Sequence, residues 1–397
     1  MTKPGTRVSL LRARREHEHG KVTFVELFFD LVFVFAITQL SHSLLEHFSL
    51  VGVLQTTLLL MAVWWVWIYT SWVTNWLDPE KSPVRLMLFV LMLAGLVLST
   101  SLPEAFEARG LAFAAAYVFM QVGRSLFTLW ALGPHSPANR RNFQRITSWL
   151  VLSGVLWIAG GFVHGDLRLA LWGAALFLEY LAPSVGFWTP GLGRSTTVDW
   201  DVEGAHIAER CGLFIIIALG ESILVTGATF SSLHWAPETV AAFVVAFVGS
   251  VAMWWIYFSI GAERASRLIA SSVDPGRLAR LAYTYLHLPV VGGIIVVAVA
   301  DELVLAHPTG HTGLETTAAV LGGSALYLVG NMLFKRATAN RVPLSHLVGL
   351  LLLVLLVPVS SLASPLVLAT AAALVLVLVA TWEWVSLGRA QATTSHA

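Results

Sequence analysis

The run LVGVLQTTLLLMAVWWVWIYTS, residues 50–71, contains no charged side chain. At a rise of about 1.5 Å per residue, an α-helix of this length covers the roughly 30 Å hydrocarbon core of a bilayer. Similar apolar blocks recur along the whole chain, which is 57% hydrophobic and only 12% charged. Because soluble domains carry about 25% charged residues, these blocks predict an all-α, polytopic transmembrane helical bundle.

Twelve candidate spans follow from the apolar blocks. They lie near residues 24–45, 50–71, 84–101, 110–132, 146–163, 167–187, 206–229, 238–261, 278–300, 315–334, 342–361 and 363–386. Pro289 and Pro358 fall inside two of these spans, where neighbouring helices would cover the interrupted backbone. The first block carries Glu26 and Asp30, so it is a poor cleavable signal and is expected to remain in the mature protein.

The distribution of basic residues predicts the orientation of the spans. With the amino terminus in the cytoplasm, the inner segments hold every lysine and arginine except Arg109, Arg168, Arg124 and Arg210, that is, 20 of 24. Arg109 and Arg168 fall in outer loops, whereas Arg124 and Arg210 fall within spans. Because basic residues concentrate in cytoplasmic loops, we predict twelve spans in the inner (plasma) membrane with both termini in the cytoplasm.

Two short motifs recur in order and predict an internal duplication. Residues 61–69 (MAVWWVWIY) are echoed by 251–258 (VAMWWIYF), and residues 122–127 (VGRSLF) by 329–334 (VGNMLF). Six spans per half would give two parallel six-helix repeats related by an axis along the membrane normal. The predicted organisation is a basic cytoplasmic arm (1–22), a first repeat (23–187), an acidic cytoplasmic linker (188–205), a second repeat (206–388) and a cytoplasmic tail (389–397).

Ionisable side chains within spans are the candidates for function, because charges are costly in hydrocarbon. Counted along the helices, Asp30 lies about 9 Å, Arg124 about 9 Å and Glu179 about 12 Å from the cytoplasmic face. These three residues share a layer and carry compensating charges. We therefore predict that Arg124 pairs with Asp30, with Glu179, or with both. A purely structural pair that fixes helix register is an equally good interpretation.

Two further pairs of polar residues have helical spacing. Glu26 and Asp30 are four residues apart and project from one face of the first span, and so do His206 and Arg210 in the seventh. Glu26, Glu209 and Arg210 lie near the membrane surface, where charges at a helix start and snorkelling explain them almost fully.

Glu221 is predicted to be the deepest carboxylate, about 22 Å from the start of its span at His206. Its small neighbours Gly220, Ser222 and Gly227 predict a close backbone approach or a local opening of the helix. His287 lies mid-span and suits either a proton relay or an ordinary core hydrogen bond. The candidate polar path therefore comprises Glu221, Asp30, Arg124, His287, Glu179, Glu26, Glu209 and Arg210.

Several classes of site are not predicted. The sequence contains no phosphate-binding loop, no metalloprotease or nucleophile-elbow motif and no Cys-x-x-Cys, so we expect no catalytic residue, cofactor or metal. His17 and His19 in the basic arm are interpreted as solvated. The single cysteine, Cys211, excludes an internal disulfide, and the net charge of +1 argues against nucleic acid as a partner.

Three motifs resemble the bacterial low-temperature-requirement A (LtrA) family. They are residues 25–37 (VELFFDLVFVFAI), residues 206–214 (HIAERCGLF) with 219–223 (LGESI), and residues 285–289 (YLHLP) with 306–308 (AHP). The resemblance implies a multi-span bacterial membrane protein linked to growth in the cold. Residues 29–38 are also similar to the Phe-Ser-Asp signature of a potassium-channel family with two six-span repeats, although Leu213 stands where the second aspartate would fall.

Three functions remain open from the sequence. The leading hypothesis is a transporter or channel for an ion or small solute, with membrane lipids and that solute as its partners. The alternative is a non-transporting scaffold or modulator of lipid state. The least favoured is a membrane-embedded lipid enzyme, for which Glu26, His206, Glu209 and Arg210 are the only candidates.

Overall fold

The computed structural model describes residues 9–12, 21–133, 136–196, 202–258 and 275–394. Helices dominate these residues, with two isolated β-bridges and no strand among them. The helices are α1 (Phe24–Glu46), α2 (Leu50–Trp76), α3 (Ser82–Ser101), α4 (Gly110–Leu132), α5 (Pro137–Phe162), α6 (Gly165–Leu181), α7 (Gly204–Ser232), α8 (Pro237–Phe258), α9 (Gly276–Ala306), α10 (Leu314–Ala339), α11 (Leu344–Leu356) and α12 (Pro365–Thr394).

Ten helices in the described part of the chain are long and apolar enough to cross a membrane. The other two, α6 and α11, have 17 and 13 residues. The structure thus supports ten to twelve spanning helices at the predicted positions. Pro358 was wrongly placed inside a span, because α11 ends at Leu356. Val357 keeps helical dihedral angles, but Pro358 has no backbone N–H to donate to the Val354 carbonyl, so the helical hydrogen-bond pattern cannot continue there.

Two helices contain a π-helical segment. In α4 it covers Phe119–Gly123, and in α9 it covers Arg280–Tyr285. The second segment ends four residues before Pro289, which lies within α9 as predicted. Proline cannot donate to the carbonyl four residues earlier and its ring clashes there, so a wider turn at this point relieves the backbone.

The chain divides into two compact units. Unit 1 contains α1 to α6 and the start of α7 through Arg210, and unit 2 contains α7 from Cys211 and α8 to α12. Two short segments are exceptions, because Leu44–Ser49 joins unit 2 and the start of α9 through Arg277 joins unit 1. Within unit 1, α2 packs on α6, α3 on α4, α4 on α5, and α5 on α6. Within unit 2, α8 packs on α12, α9 on α10, α10 on α11, and α11 on α12. These four pairs have the same positions in the two units, while α10 also packs on α12 and α8 on α9 in unit 2. The duplication and its domain boundaries remain predictions.

Glycines bring α9 and α10 into close contact. A β-carbon built on Gly293 would lie 2.5 Å from the Tyr327 nitrogen, and one on Gly330 would lie 2.7 Å from the Val290 nitrogen. Small residues of this kind let two backbones approach closely in a membrane, where packing replaces the hydrophobic effect between helices.

The polar ends of the chain are only partly described. Residues Leu10–Arg12 pair with the end of α2, through Arg12 N to Trp76 O at 2.8 Å and Asp78 N to Leu10 O at 2.9 Å. His17 and His19, as well as Asp199 and Asp201 of the predicted acidic linker, lie outside the described residues. At the other end α12 continues to Thr394, past the predicted limit at residue 386.

Candidate functional site

Glu26 is buried at the start of α1 and is surrounded by donors. Its Oε2 accepts hydrogen bonds from the Thr23 backbone nitrogen and hydroxyl, both at 2.9 Å, and from Arg12 Nη2 at 3.2 Å. Its Oε1 lies 3.0 Å from His206 Nε2. Only 1% of Glu26 is exposed, so these contacts replace its hydration. Glu26 does lie in the first turn of α1, as expected of a charge at a helix start, but it is buried and does not snorkel to the membrane surface.

His206 is held by Asn75 at the end of α2. The Asn75 amide nitrogen lies 3.2 Å from His206 Nδ1 and donates to the Glu203 carbonyl at 2.9 Å, while Asn75 Oδ1 accepts from the Glu203 backbone nitrogen at 3.0 Å. An amide nitrogen can only donate, so His206 Nδ1 accepts and Nε2 carries the proton that faces Glu26. Asn75 thus selects the histidine tautomer that bonds to the glutamate.

One helical turn further on, Asp30 pairs with Arg210. Arg210 Nη2 lies 2.9 Å from Asp30 Oδ1, which also accepts from Trp67 Nε1 at 2.8 Å. Arg210 Nη2 also lies 3.2 Å from Ser71 Oγ, and the guanidinium stacks 5.5 Å from the centroid of the Trp67 ring. The predicted i, i+4 faces of α1 and α7 therefore meet as two rungs, Glu26–His206 and Asp30–Arg210.

The Asp30–Arg210 rung is fully buried but not fully bonded. Both side chains are 0% exposed. Asp30 Oδ2 and Arg210 Nη1 have no hydrogen-bond partner among the described residues. Most buried polar atoms in proteins are satisfied, so an unbonded acceptor and an unbonded donor on one ion pair are unusual.

The predicted pairing of Arg124 is wrong, because Arg124 forms no ion pair with Asp30 or Glu179. It donates to the Val66 carbonyl at 3.1 Å, to Thr70 Oγ1 at 3.0 Å and to Gln121 Oε1. The depth estimate gave positions along the helix axes, but the rotation of each helix decides which groups meet.

Glu179 forms a second network within unit 1. It accepts from Ser153 Oγ at 2.7 Å, Trp157 Nε1 at 3.0 Å and the Tyr117 hydroxyl at 2.5 Å. Gln121 Nε2 donates to the same tyrosine oxygen at 3.1 Å, and Gln121 Oε1 accepts from Arg124. Arg124 and Glu179 are thus connected through two neutral side chains rather than in direct contact.

Helix α2 lies between the two networks. Arg124 bonds to Val66 and Thr70, while Arg210 contacts Trp67 and Ser71 in the next positions along the same helix. A movement of this turn of α2 would therefore act on both buried arginines.

Glu209 and Glu221 occupy different environments in α7. Glu209 is exposed, and its Oε2 accepts from the Val22 backbone nitrogen at 3.3 Å. Glu221 is 6% exposed, in agreement with its predicted burial. The predicted close backbone approach is wrong at Gly220 and Gly227, because no described heavy atom beyond their own stretch of helix lies within 4 Å of a β-carbon built there. The alternative, a local opening, is not seen either, because α7 is a continuous helix at these residues.

His287 belongs to unit 2 and is satisfied on both ring nitrogens. Its Nδ1 lies 2.8 Å from the Ala282 carbonyl and therefore donates, while the Tyr257 hydroxyl lies 2.7 Å from Nε2 and donates to it. Ala282 lies within the π-helical segment of α9. These contacts favour the core-histidine interpretation, in which His287 anchors the irregular backbone.

Sequence reasoning missed an ionic cluster in unit 2. Lys335 Nζ lies 2.5 Å from Glu383 Oε2 and 3.2 Å from the Ile256 carbonyl. Glu383 Oε1 lies 3.3 Å from His346 Nδ1. The signal was available, because Glu383 is the one carboxylate in the predicted span 363–386.

The comparisons with known proteins agree with the resemblance read from the motifs. The profile described as bacterial low temperature requirement A protein matches residues 21–381. The chain belongs to the LtrA family. A Rhizobium meliloti (strain 1021) protein, described as uncharacterized, is 44% identical to this LtrA-family chain over 376 residues, which are 94% of this chain and 92% of that protein. No solved structure matches.

The motifs that resemble the LtrA family contain the residues of the two buried rungs. Glu26 and Asp30 come from the first motif, and His206 and Arg210 from the second. Two of the motifs on which the resemblance rests thus form a single ionic site in this member. Among the described residues no group of three or more histidine, cysteine, aspartate or glutamate side chains could hold a metal ion.

Proposed function

We propose that this LtrA-family membrane protein transports an ion or a small polar solute, and that the Asp30–Arg210 pair is its binding site. The observation that supports the proposal is the unbonded Asp30 Oδ2 together with the unbonded Arg210 Nη1, both fully buried. Ionisable groups inside membrane helices commonly mark substrate and ion pathways.

The composition of the site indicates the kind of solute. A ligand that donates to Asp30 Oδ2 and accepts from Arg210 Nη1 satisfies both atoms and needs little net charge. Asp30 would repel a simple anion and Arg210 a simple cation, so a neutral or proton-bearing polar group fits best. The Glu26–His206 rung, one turn away, continues the polar surface towards Arg12 and the start of α1.

The burial of the pair favours a carrier over a permanently open channel. Asp30 and Arg210 are 0% exposed, so a solute reaches them only if α1, α2 or α7 shifts. Solute binding would then favour the state that exposes or encloses the pair. We place the chain in the inner (plasma) membrane with both termini in the cytoplasm, supported by its basic-residue distribution.

The test is solute flux into liposomes that contain the purified protein. Wild type and Asp30→Asn are screened against protons, alkali cations, small anions and neutral polar solutes. We expect the transported species to enter Asp30→Asn liposomes at least about tenfold more slowly, the factor that 1.4 kcal/mol of lost interaction produces. Glu209→Gln is the matched control, because Glu209 adjoins Arg210 on α7 but is exposed, and its flux should equal that of wild type.

Two results would contradict the proposal. One is that wild type moves none of the screened species faster than protein-free liposomes do. The other is that Asp30→Asn transports every carried species at the wild-type rate while it remains folded.

A non-transporting scaffold is the second candidate, favoured by the complete bonding of Glu179 and His287. It predicts that the exchanged pair, Asp30→Arg with Arg210→Asp, retains full function in cold growth, because pairing alone would be needed. A lipid enzyme is less favoured, since Glu26, His206 and Arg210 are at most 1% exposed and only Glu209 of the four candidates is exposed.

A further inference from the structure

An open groove lies between α8 and α12 in unit 2. It has a volume of about 410 Å³. It is lined by Phe247, Val248, Val251, Ala252, Trp255, Val377, Ala380, Thr381 and Trp384.

The lining of the groove is mostly apolar. Ala252 and Ala380 are buried and form its floor, whereas Trp255 and Trp384 are 39% and 61% exposed and form its walls. The one hydroxyl, on Thr381, is engaged with the Val377 carbonyl at 2.8 Å. The Thr381 hydroxyl is therefore already bonded, and the groove offers mainly apolar contact area. An apolar occupant suits it.

If the two units are related by the predicted duplication, the place in unit 1 that corresponds to the groove is filled by the protein itself. The repeated motif matches Trp65 to Trp255, and Tyr180 follows Glu179 as Trp384 follows Glu383. Trp65 stacks on Tyr180 with ring centroids 3.9 Å apart and 22° between the planes. One helix pair is thus closed by an aromatic stack, and its counterpart has two exposed tryptophans on either side of a groove.

The dimensions of the groove fit a single fatty acyl chain. At roughly 30 Å³ per water-sized group, 410 Å³ holds about 14 such groups, which matches a fatty acyl chain. The α8 residues that line it run from Phe247 to Trp255, about 12 Å of helix, which is close to the roughly 15 Å of one leaflet.

Larger occupants fit poorly. The accessible lining is a small fraction of the roughly 800 Å² per partner that a stable protein dimer buries. We propose that this groove is a binding site for one acyl chain of a membrane phospholipid, held between Trp255 and Trp384.

The test uses the purified full-length protein with a phosphatidylcholine that carries a photoreactive diazirine on one acyl chain. Cross-linked peptides are mapped by mass spectrometry, and retained lipid is counted by native mass spectrometry. In wild type we expect labelling concentrated in Phe247–Trp255 and Val377–Trp384, with one phospholipid retained per chain.

Ala380→Phe fills the floor of the groove and should remove this labelling. Losing the contact of two methylene groups lowers affinity about tenfold, so the retained lipid should decrease by at least that factor. Val244→Phe is the matched control, because it adds an aromatic ring to an exposed position of α8 outside the groove. If Ala380→Phe fails to fold, Ala252→Leu fills the same space from α8.

Three outcomes would overturn the proposal. They are labelling spread evenly over the lipid-facing helices, labelling of the groove that is equal in wild type and the filled variants, and a protein dimer that the filled variants abolish. The last outcome would assign the groove to a second copy of the chain.

Discussion

Removing Arg210 should destabilise the protein strongly, because its partner would stay buried as an unpaired charge. In Arg210→Met the Asp30 carboxylate keeps the Trp67 hydrogen bond at 2.8 Å and loses the guanidinium at 2.9 Å. Removing one partner of a buried ion pair typically costs about 3–5 kcal/mol. Asp30→Asn should cost a similar amount, because it leaves the Arg210 charge without a counter-charge.

The double variant separates the pair energy from the loss of each side chain. Asp30→Asn combined with Arg210→Met leaves no buried charge at this rung, so its cost should be well below the sum of the single costs. We expect a coupling free energy of at least about 2 kcal/mol, within the range found for groups in direct contact.

The assay is equilibrium unfolding in mixed micelles with increasing dodecyl sulfate, followed by tryptophan fluorescence. The control cycle combines Asp30→Asn with Arg168→Met. Arg168 is also buried, but it bonds to carbonyl groups such as those of Ala105 and Glu107 and shares no partner with Asp30. Additive free energies in the Asp30–Arg210 cycle, within about 0.5 kcal/mol, would refute the energetic coupling of this rung.

Two further predictions concern unit 2 and use the same unfolding measurement. Gly330→Leu should destabilise the protein by about 1–3 kcal/mol or more through steric overlap with α9. The control Gly322→Ala should be neutral or stabilising, because Gly322 is exposed and has no described neighbour. Equal effects of the two substitutions would show that α9 and α10 do not pack through Gly330. Tyr257→Phe should cost about 1–3 kcal/mol, because it leaves His287 Nε2 buried without a donor. Tyr283→Phe should cost less, since the buried Tyr283 hydroxyl has no described hydrogen-bond partner; a larger cost for Tyr283→Phe would contradict the assigned role of the Tyr257 hydroxyl.

The helices were predictable because their signal is local. A run such as residues 50–71 must be helical in a membrane, since only internal hydrogen bonds can satisfy its backbone there. The exceptions have local causes as well, as at Pro358, where α11 ends two residues earlier. Helical spacing likewise predicted that Glu26 and Asp30 lie on one face of their helix, and that His206 and Arg210 lie on one face of theirs.

The sequence by itself determined that this is an LtrA-family membrane protein of apolar helices with costly charges inside them. Only the tertiary structure decided that Arg210, and not Arg124, pairs with Asp30, and that Glu179 is bonded by neutral donors. Counting residues fixes the depth of a side chain along its helix, but the rotation and neighbours of each helix come from packing. For the same reason, the closed stack at Trp65 and the open groove at Trp255 arise from nearly identical motifs.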